Sequence, residues 1–131
     1  GSREPQEGRL VARRGAGELG LSHLRVTLSD DFYMGPGRAD LIELIGETGS
    51  ISEAARRMGM SYKRAWSLVQ ALNDGFGATL VEAHRGGAGQ GAVVTPAGQN
   101  VLTRYRHMQA ATREAIAADV KALKSDMSRR K

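Results

Sequence analysis

Apolar positions along the chain first alternate and then recur at helical spacing. In His23-Leu24-Arg25-Val26-Thr27-Leu28, Leu24, Val26 and Leu28 fall on one face, the period-2 pattern of a half-buried strand. Ser29-Asp30-Asp31 and Met34-Gly35-Pro36-Gly37 are turn sequences. Leu41, Leu44, Ile45 and Thr48 then stand at i, i+3, i+4 and i+7, which predicts an amphipathic helix closed by Gly49. Ser50-Ile51-Ser52-Glu53 has the S-x-x-E form of a capping box and opens a second helix, where Ile51, Ala54, Ala55 and Met58 repeat that spacing as far as Gly59. Ser61 caps a third helix, with Ala65, Leu68, Val69 and Leu72 on its inner face and Asn73-Asp74-Gly75 and Gly77 closing it. Leu80 to Arg85 and Ala92 to Thr95 read as two strands around the glycine-rich loop 86–91, a hairpin with a long tip. Thr95-Pro96 then starts a long helix, 96–124, whose apolar side carries Val101, Leu102, Tyr105, Met108, Ile116, Val120 and Leu123.

The order strand, three helices, hairpin, long helix predicts a mainly α protein with a small β-sheet. The expected fold is a winged helix-turn-helix followed by a long C-terminal helix, with the first strand placed beside the hairpin in one sheet. Residues 1–22, rich in Gly, Arg and Glu, are expected to be disordered or weakly ordered, and the leading Gly-Ser looks like an expression remnant. Residues 23–95 are expected to form the winged helix-turn-helix domain, 96–124 the long helix and 125–131 a basic tail, with Arg129-Arg130-Lys131 frayed.

Composition narrows the chemistry. The 131 residues are 40% hydrophobic, enough for one packed core. No cysteine is present, which excludes disulfides, thiolate zinc sites and a cysteine nucleophile. No run is apolar enough to span a membrane, and the start has no signal-peptide core, so a cytoplasmic protein without a membrane partner is expected. The net charge of +5 is unevenly placed: +2 over residues 1–28, −4 over 29–49, +2 over 50–74, zero over 75–100 and +5 over 101–131.

The second and third helices carry the functional signal. Ala55 stands where two helices must cross closely, Gly59 supplies the tight turn, and Met58 and Met60 flank it. Lys63 and Arg64 lie in the first turn of the third helix, where cations oppose the helix dipole and an anion is favoured. Lys63, Ser67 and Gln70 point away from the core face, with Arg64 on one flank and Tyr62 and Trp66 on the other. The N-terminal part of such a helix enters the major groove of DNA, where Lys or Arg can read guanine and Gln can read adenine. Ser50, Ser52 and Ser61 suit phosphate contact, although capping alone accounts for Ser50 and Ser61. Trp66 is expected to close the core. Arg85 at the root of the wing and Gln90 in its tip are assigned to the DNA backbone or minor groove. No enzyme is expected. His23, His84 and His107 lack metal-ligand spacing, and Asp30-Asp31 reads as a turn. The loop Gly87-Ala88-Gly89-Gln90-Gly91 is followed by a strand rather than the helix a nucleotide site needs.

From Thr48 to about Ala111 the chain resembles the DNA-binding domain of the ModE family of molybdate-responsive bacterial regulators. The resemblance is carried by Gly49-Ser50-Ile51-Ser52, Ala55, Ser61-Tyr62-Lys63-Arg64-Ala65-Trp66, Leu80-Val81-Glu82, the glycine-rich wing, Ala92-Val93-Val94-Thr95 and Gly98-Gln99. LysR-type regulators share the broader architecture but not the S-Y-K-x-A-W run. The resemblance implies a homodimer on a partly palindromic operator of double-stranded DNA, repressing molybdate-uptake genes when molybdate is present. It makes the long helix the dimer element, and Tyr105, Met108, Ile116, Val120 and Leu123 are assigned to the interface. Family members of full length carry C-terminal molybdate-binding domains. Nothing before Lys131 matches such a module, so either a short member or a fragment is expected. No cofactor is assigned within the chain, and molybdate enters as an effector only through the resemblance. The competing reading is a winged-helix assembly module without specific DNA binding.

Overall fold

The computed structural model describes residues 20–84 and 91–129. Two antiparallel hairpins and five helices follow in the order β1 (Val26–Ser29), β2 (Phe32–Met34), α1 (Pro36–Thr48), α2 (Ile51–Met58), α3 (Tyr62–Phe76), β3 (Val81–His84), β4 (Gly91–Val94), α4 (Pro96–Ala115) and α5 (Ala117–Arg129). The winged helix-turn-helix is present: three helices, a two-stranded wing and a long helical extension.

The first strand departs from its expected place. β1 pairs with β2, not with the wing, and the two hairpins form separate two-stranded sheets. β2 occupies part of the stretch between the two turn sequences. A turn at Asp30-Asp31 reverses the chain, and Phe32 then packs edge-on against Phe76 at 5.1 Å, lying over Gly75 of α3. This contact draws the hairpin onto the end of α3, away from the wing. The guanidinium groups of Arg25 and Arg38 lie 3.7 and 4.1 Å from the centre of the Tyr33 ring and stack the hairpin onto the start of α1. Leu28, expected on the buried face, is exposed.

α1 begins at Pro36, within what reads as a turn, because proline fixes a helical φ and lacks the N–H that a first turn cannot satisfy. It buries Ile42 as well as Leu41, Leu44 and Ile45. α2 receives only half of its capping box. Ser50 accepts the Glu53 N–H at 2.9 Å, but Thr48 Oγ1 takes the Ser50 N–H, and the Glu53 carboxylate turns to Arg56 and Arg57. Gly59 adopts φ 70°, and two backbone bonds close the turn: Gly59 N–H to Arg56 and Met60 N–H to Ala55. α3 continues through Asn73-Asp74-Gly75 to Phe76 and ends at Gly77, one of the residues expected to close it, which caps the helix with φ 62°. Asn73 is not a terminator. Its side chain accepts the Leu80 N–H at 2.8 Å and donates to the Val81 carbonyl at 3.2 Å, fixing where the wing leaves the core.

The core lies between α1, α2, α3, the wing root and the first half of α4, with Leu41, Ile45, Ala65, Leu72, Leu80 and Tyr105 fully buried. α4 is seated against the wing root. Thr95 accepts the Gly98 N–H at 3.1 Å and donates to the Thr79 carbonyl at 2.6 Å. A Cβ on Gly98 would stand 2.3 Å from the Leu80 carbonyl oxygen, so only glycine lets α4 approach this closely. On α1, buried Asp40 and half-buried Glu43 receive the Arg106 guanidinium of α4, each at 2.7 Å. Arg106 also reaches buried Gln109 at 2.9 Å.

The expected continuous helix 96–124 is divided at Ile116 and runs further. Backbone bonds from Ile116 to Thr112 and from Val120 to Ile116 carry the chain across the division. α5 extends to Arg129, into the segment expected to be a basic tail, because residues 117–129 contain no glycine or proline to stop it. Residues 20–24 run back along this extension. The Leu24 carbonyl accepts the Tyr105 hydroxyl at 2.5 Å, and Gly20 lies against Val120. The N-terminal segment 1–22 is thus described only at its end, and residues 1–19 lie outside the described residues.

Two substitutions test this seating. Gly98→Ala is expected to lower the unfolding free energy by about 1–3 kcal/mol, through overpacking against Leu80, read as a reduced urea midpoint. An unchanged midpoint would mean α4 is not held against the wing root. Burial pushes the Tyr105 phenol up to about 12, against the pull of Arg106 and with the help of Asp40. A raised pKa means that the native state keeps the proton longer than the unfolded chain. The associated stability is therefore complete below the ordinary tyrosine pKa and is lost as pH rises from about 10 through about 12. Tyr105→Phe should lose about 1 kcal/mol near neutrality with the Leu24 bond, and should lack that part of the alkaline loss in denaturation curves.

Candidate DNA-binding surface

The surface is built on the α2–turn–α3 pair. Ala55 and Ala65 are fully buried where the helices cross, and Met58 and Met60 half-bury beside the turn. This packing leaves the opposite face of α3 in solvent: Lys63, Arg64, Ser67 and Gln70 are all exposed. Ser61 is the N-cap, its hydroxyl accepting the Arg64 N–H at 3.0 Å. No acidic residue stands in the first turn of α3. The two cations there therefore meet the positive end of the helix without a local counter-charge from that turn. On α2, Glu53 is held below the usual carboxylate range, first by its hydrogen bond from Arg56, and Arg56 is correspondingly raised.

Trp66 is half-buried against the core, as its solitary status suggests. Tyr62 stacks on it with ring centres 6.5 Å apart and planes 12° from parallel, and is 48% exposed. Beside Tyr62 an open cleft of about 320 Å³ separates the helix pair from the wing. Its walls are Ser50 and Ser52 at the start of α2, Tyr62, and Ala83, His84 and Gly91 at the wing root. Ser50, Ser52 and Tyr62 are thus brought together in one cleft, next to the Lys63–Gln70 face. His84 was missed by sequence reasoning. The available signal was strand alternation: Glu82 and His84 are the solvent-facing residues of β3. Arg85 and Gln90 lie outside the described residues.

The residues assigned to dimer contact divide along the extension. Tyr105 is 2% exposed and belongs to the core of its own chain, so it has no face left for a partner. Its sequence spacing does not separate a stripe facing inward from one facing a second molecule. Met108, Ile116 and Val120 are half-covered, while Leu123 and Met127 are 64% and 68% exposed. Met127 lay in the segment read as a tail.

No described helix is long and apolar enough to cross a membrane, and among the described residues no cluster of three His, Asp or Glu could hold a metal ion. Residues 39–99 match the family model of bacterial regulatory helix-turn-helix proteins of the lysR family. The chain is 46% identical over 118 residues to the molybdenum-pterin-binding protein MopB of Rhodobacter capsulatus, spanning 88% of this chain and 44% of the relative. It is 42% identical over 84 residues to MopA of the same organism, and 37% identical over 83 residues to the DNA-binding transcriptional dual regulator ModE of Escherichia coli K12. These two alignments cover 63% of this chain and 32% of each relative. The chain is a ModE-family protein with a lysR-type helix-turn-helix. It spans less than half the length of these relatives. The matched segment 39–99 runs from α1 to the first turn of α4, so it holds the whole of the α2–α3 pair and both wing strands.

Proposed function

We propose that this protein is a sequence-specific regulator of transcription that binds double-stranded DNA as a homodimer. The carrying observation is the exposed face of α3, where Lys63, Arg64, Ser67 and Gln70 stand free of the core at the leading end of a helix-turn-helix. Lys63 and Arg64 reach guanine edges in the major groove and Gln70 an adenine, while Ser52, Ser61 and Tyr62 take the flanking phosphates. Arg85 and Gln90 of the wing track the backbone. The polyanion supplies the counter-charge that the first turn of α3 lacks.

The second copy packs along α4 and α5. Leu123 and Met127 lie beyond the reach of the core, and covering them is the reason a partner is needed. Met108, Ile116 and Val120 complete that stripe. Two-fold pairing of the helices places two α3 faces on one duplex, hence a partly palindromic operator. The names of the relatives support a role in molybdenum metabolism, with repression of uptake genes in the cytoplasm as the specific reading and molybdate as the effector.

Lys63→Ala and Arg64→Ala are each expected to lower specific affinity by about 1–3 kcal/mol and to relax base preference at one position, measured by titrating selected and scrambled duplexes. Unaltered binding by both variants would leave the protein as an assembly module instead. Because Leu123 is exposed within one chain, Leu123→Asp should leave the thermal midpoint of the monomer unchanged. In sedimentation velocity it should convert a species of two chains to one. A two-chain species that survives this change would move the interface elsewhere.

A further inference from the structure

The cleft between α2 and the wing has two walls that are tied together at its base. The Ala92 N–H donates to the Gly49 carbonyl at 2.9 Å, immediately before Ser50 in the chain. A Cβ on Gly91 would stand 3.3 Å from that same carbonyl, so the wing root sits close against the α1–α2 turn. His84 pairs in register with Gly91, and its imidazole therefore emerges opposite a residue with no side chain. Across the cleft, the Tyr62 ring is laid against Trp66, which is itself packed on the core. The position of the phenol hydroxyl is thereby limited. Among the described residues, the Ser52 hydroxyl, the Tyr62 hydroxyl and the His84 imidazole have no hydrogen-bond partner.

We propose that this cleft seats a single phosphodiester of the DNA backbone, with His84, Ser52 and Tyr62 as its hydrogen-bond donors. Three different elements contribute one unused donor each to the same space, a combination that suits the several oxygens of one phosphate. The acids nearby do not oppose it. Glu53 is turned to Arg56 and Arg57, and Glu82, on the same face of β3 as His84, stands about 7 Å further along the strand and does not line the cleft. Tyr62 directly precedes Lys63 and Arg64, so a phosphate held here flanks the bases that those side chains reach. The contact is independent of sequence, and it fixes the depth and register of α3 in the groove. It rests on the duplex-binding reading above and adds His84, which joins the wing to the helix pair as one grip on the backbone.

The test compares wild type with His84→Ala, Ser52→Ala and Tyr62→Phe, the last of which keeps the ring stack. All three sites are exposed, so circular dichroism and thermal midpoints should match wild type. Two duplexes serve as probes: one selected for tight binding from a random pool, and one scrambled. Each variant should weaken both duplexes equally, by about 10-fold, with base preference retained. Replacing phosphates one at a time by methylphosphonate should reveal one position that weakens wild type but leaves His84→Ala unaffected. Inorganic phosphate at matched ionic strength should not compete in wild type. Competition that disappears in His84→Ala would assign the cleft to a free anion and overturn the proposal. So would wild-type binding with variants within twofold of it, or loss confined to the selected duplex. Failure of wild type to bind any duplex in a salt-dependent manner would instead overturn the DNA-binding reading itself, and this proposal with it.

Discussion

The relation of the helix-turn-helix to its extension depends on one buried ionic cluster. Asp40 is 3% exposed, and an isolated carboxylate at that depth would carry a desolvation penalty of several kcal/mol. Arg106 meets it at 2.7 Å, meets Glu43 at 2.7 Å and donates to the Gln109 Oε1 at 2.9 Å. The guanidinium is planar and its donors are fixed in a fork, so it satisfies the three acceptors in one orientation only. An apolar contact between α1 and α4 could slide by a fraction of a turn at little cost. This one cannot slide without breaking the charged hydrogen bonds from Arg106 to Asp40 and Glu43. The angle between α1 and α4 is thus specified by polar geometry inside a contact whose stability comes from apolar burial. Since α1 also packs against α2 and the wing strand β4, that angle is passed on to the surface that meets DNA.

At that surface the physical tension runs the other way. Lys63 and Arg64 are placed where the helix dipole disfavours them, and Ser61 relieves only one of the orphan N–H groups. The fold tolerates this because both side chains are in solvent, where the penalty is a few tenths of a kcal/mol each. The inner face of the same helix is built from Ala65, Val69 and Leu72, which carry no such conflict. Stability and binding are therefore assigned to opposite faces of one helix. The wing adds a second constraint: by bonding its root to Gly49, it holds its strands beside the start of α2.

What was legible in the sequence follows from the range of the interactions involved. The α2–turn–α3 pair could be read closely, because its caps, its apolar spacing and Gly59 are local signals within a few residues of one another. The exposure of Lys63, Ser67 and Gln70 followed from the same periodicity. The β1–β2 hairpin was not legible, since its partner choice depends on Phe32 meeting Phe76, more than forty residues away. Asn73 was misread for the same reason: its side chain acts on Leu80 and Val81 rather than on its own helix. His84 looked like any exposed strand residue until the wing root was set beside Ser52 and Tyr62.

The apolar stripe of the extension shows how one periodic pattern can perform two tasks. Near its start, α4 lies on the core, and Tyr105 is enclosed there with its hydroxyl held by Leu24. A residue at this point adds to the stability of a single chain. At Val120, still half-covered, Gly20 lies alongside, whereas Leu123 and Met127 are mostly exposed. The rise of 1.5 Å per residue carries Leu123 about 27 Å from Tyr105, roughly the diameter of a small domain. Beyond that distance the same spacing of apolar residues cannot be serving the core from which it started. On the proposed reading a second copy covers it, and the stripe passes along its length from folding the monomer to joining it to a partner. The division at Ile116 falls between these two stretches, where the helix leaves the surface that sets its direction.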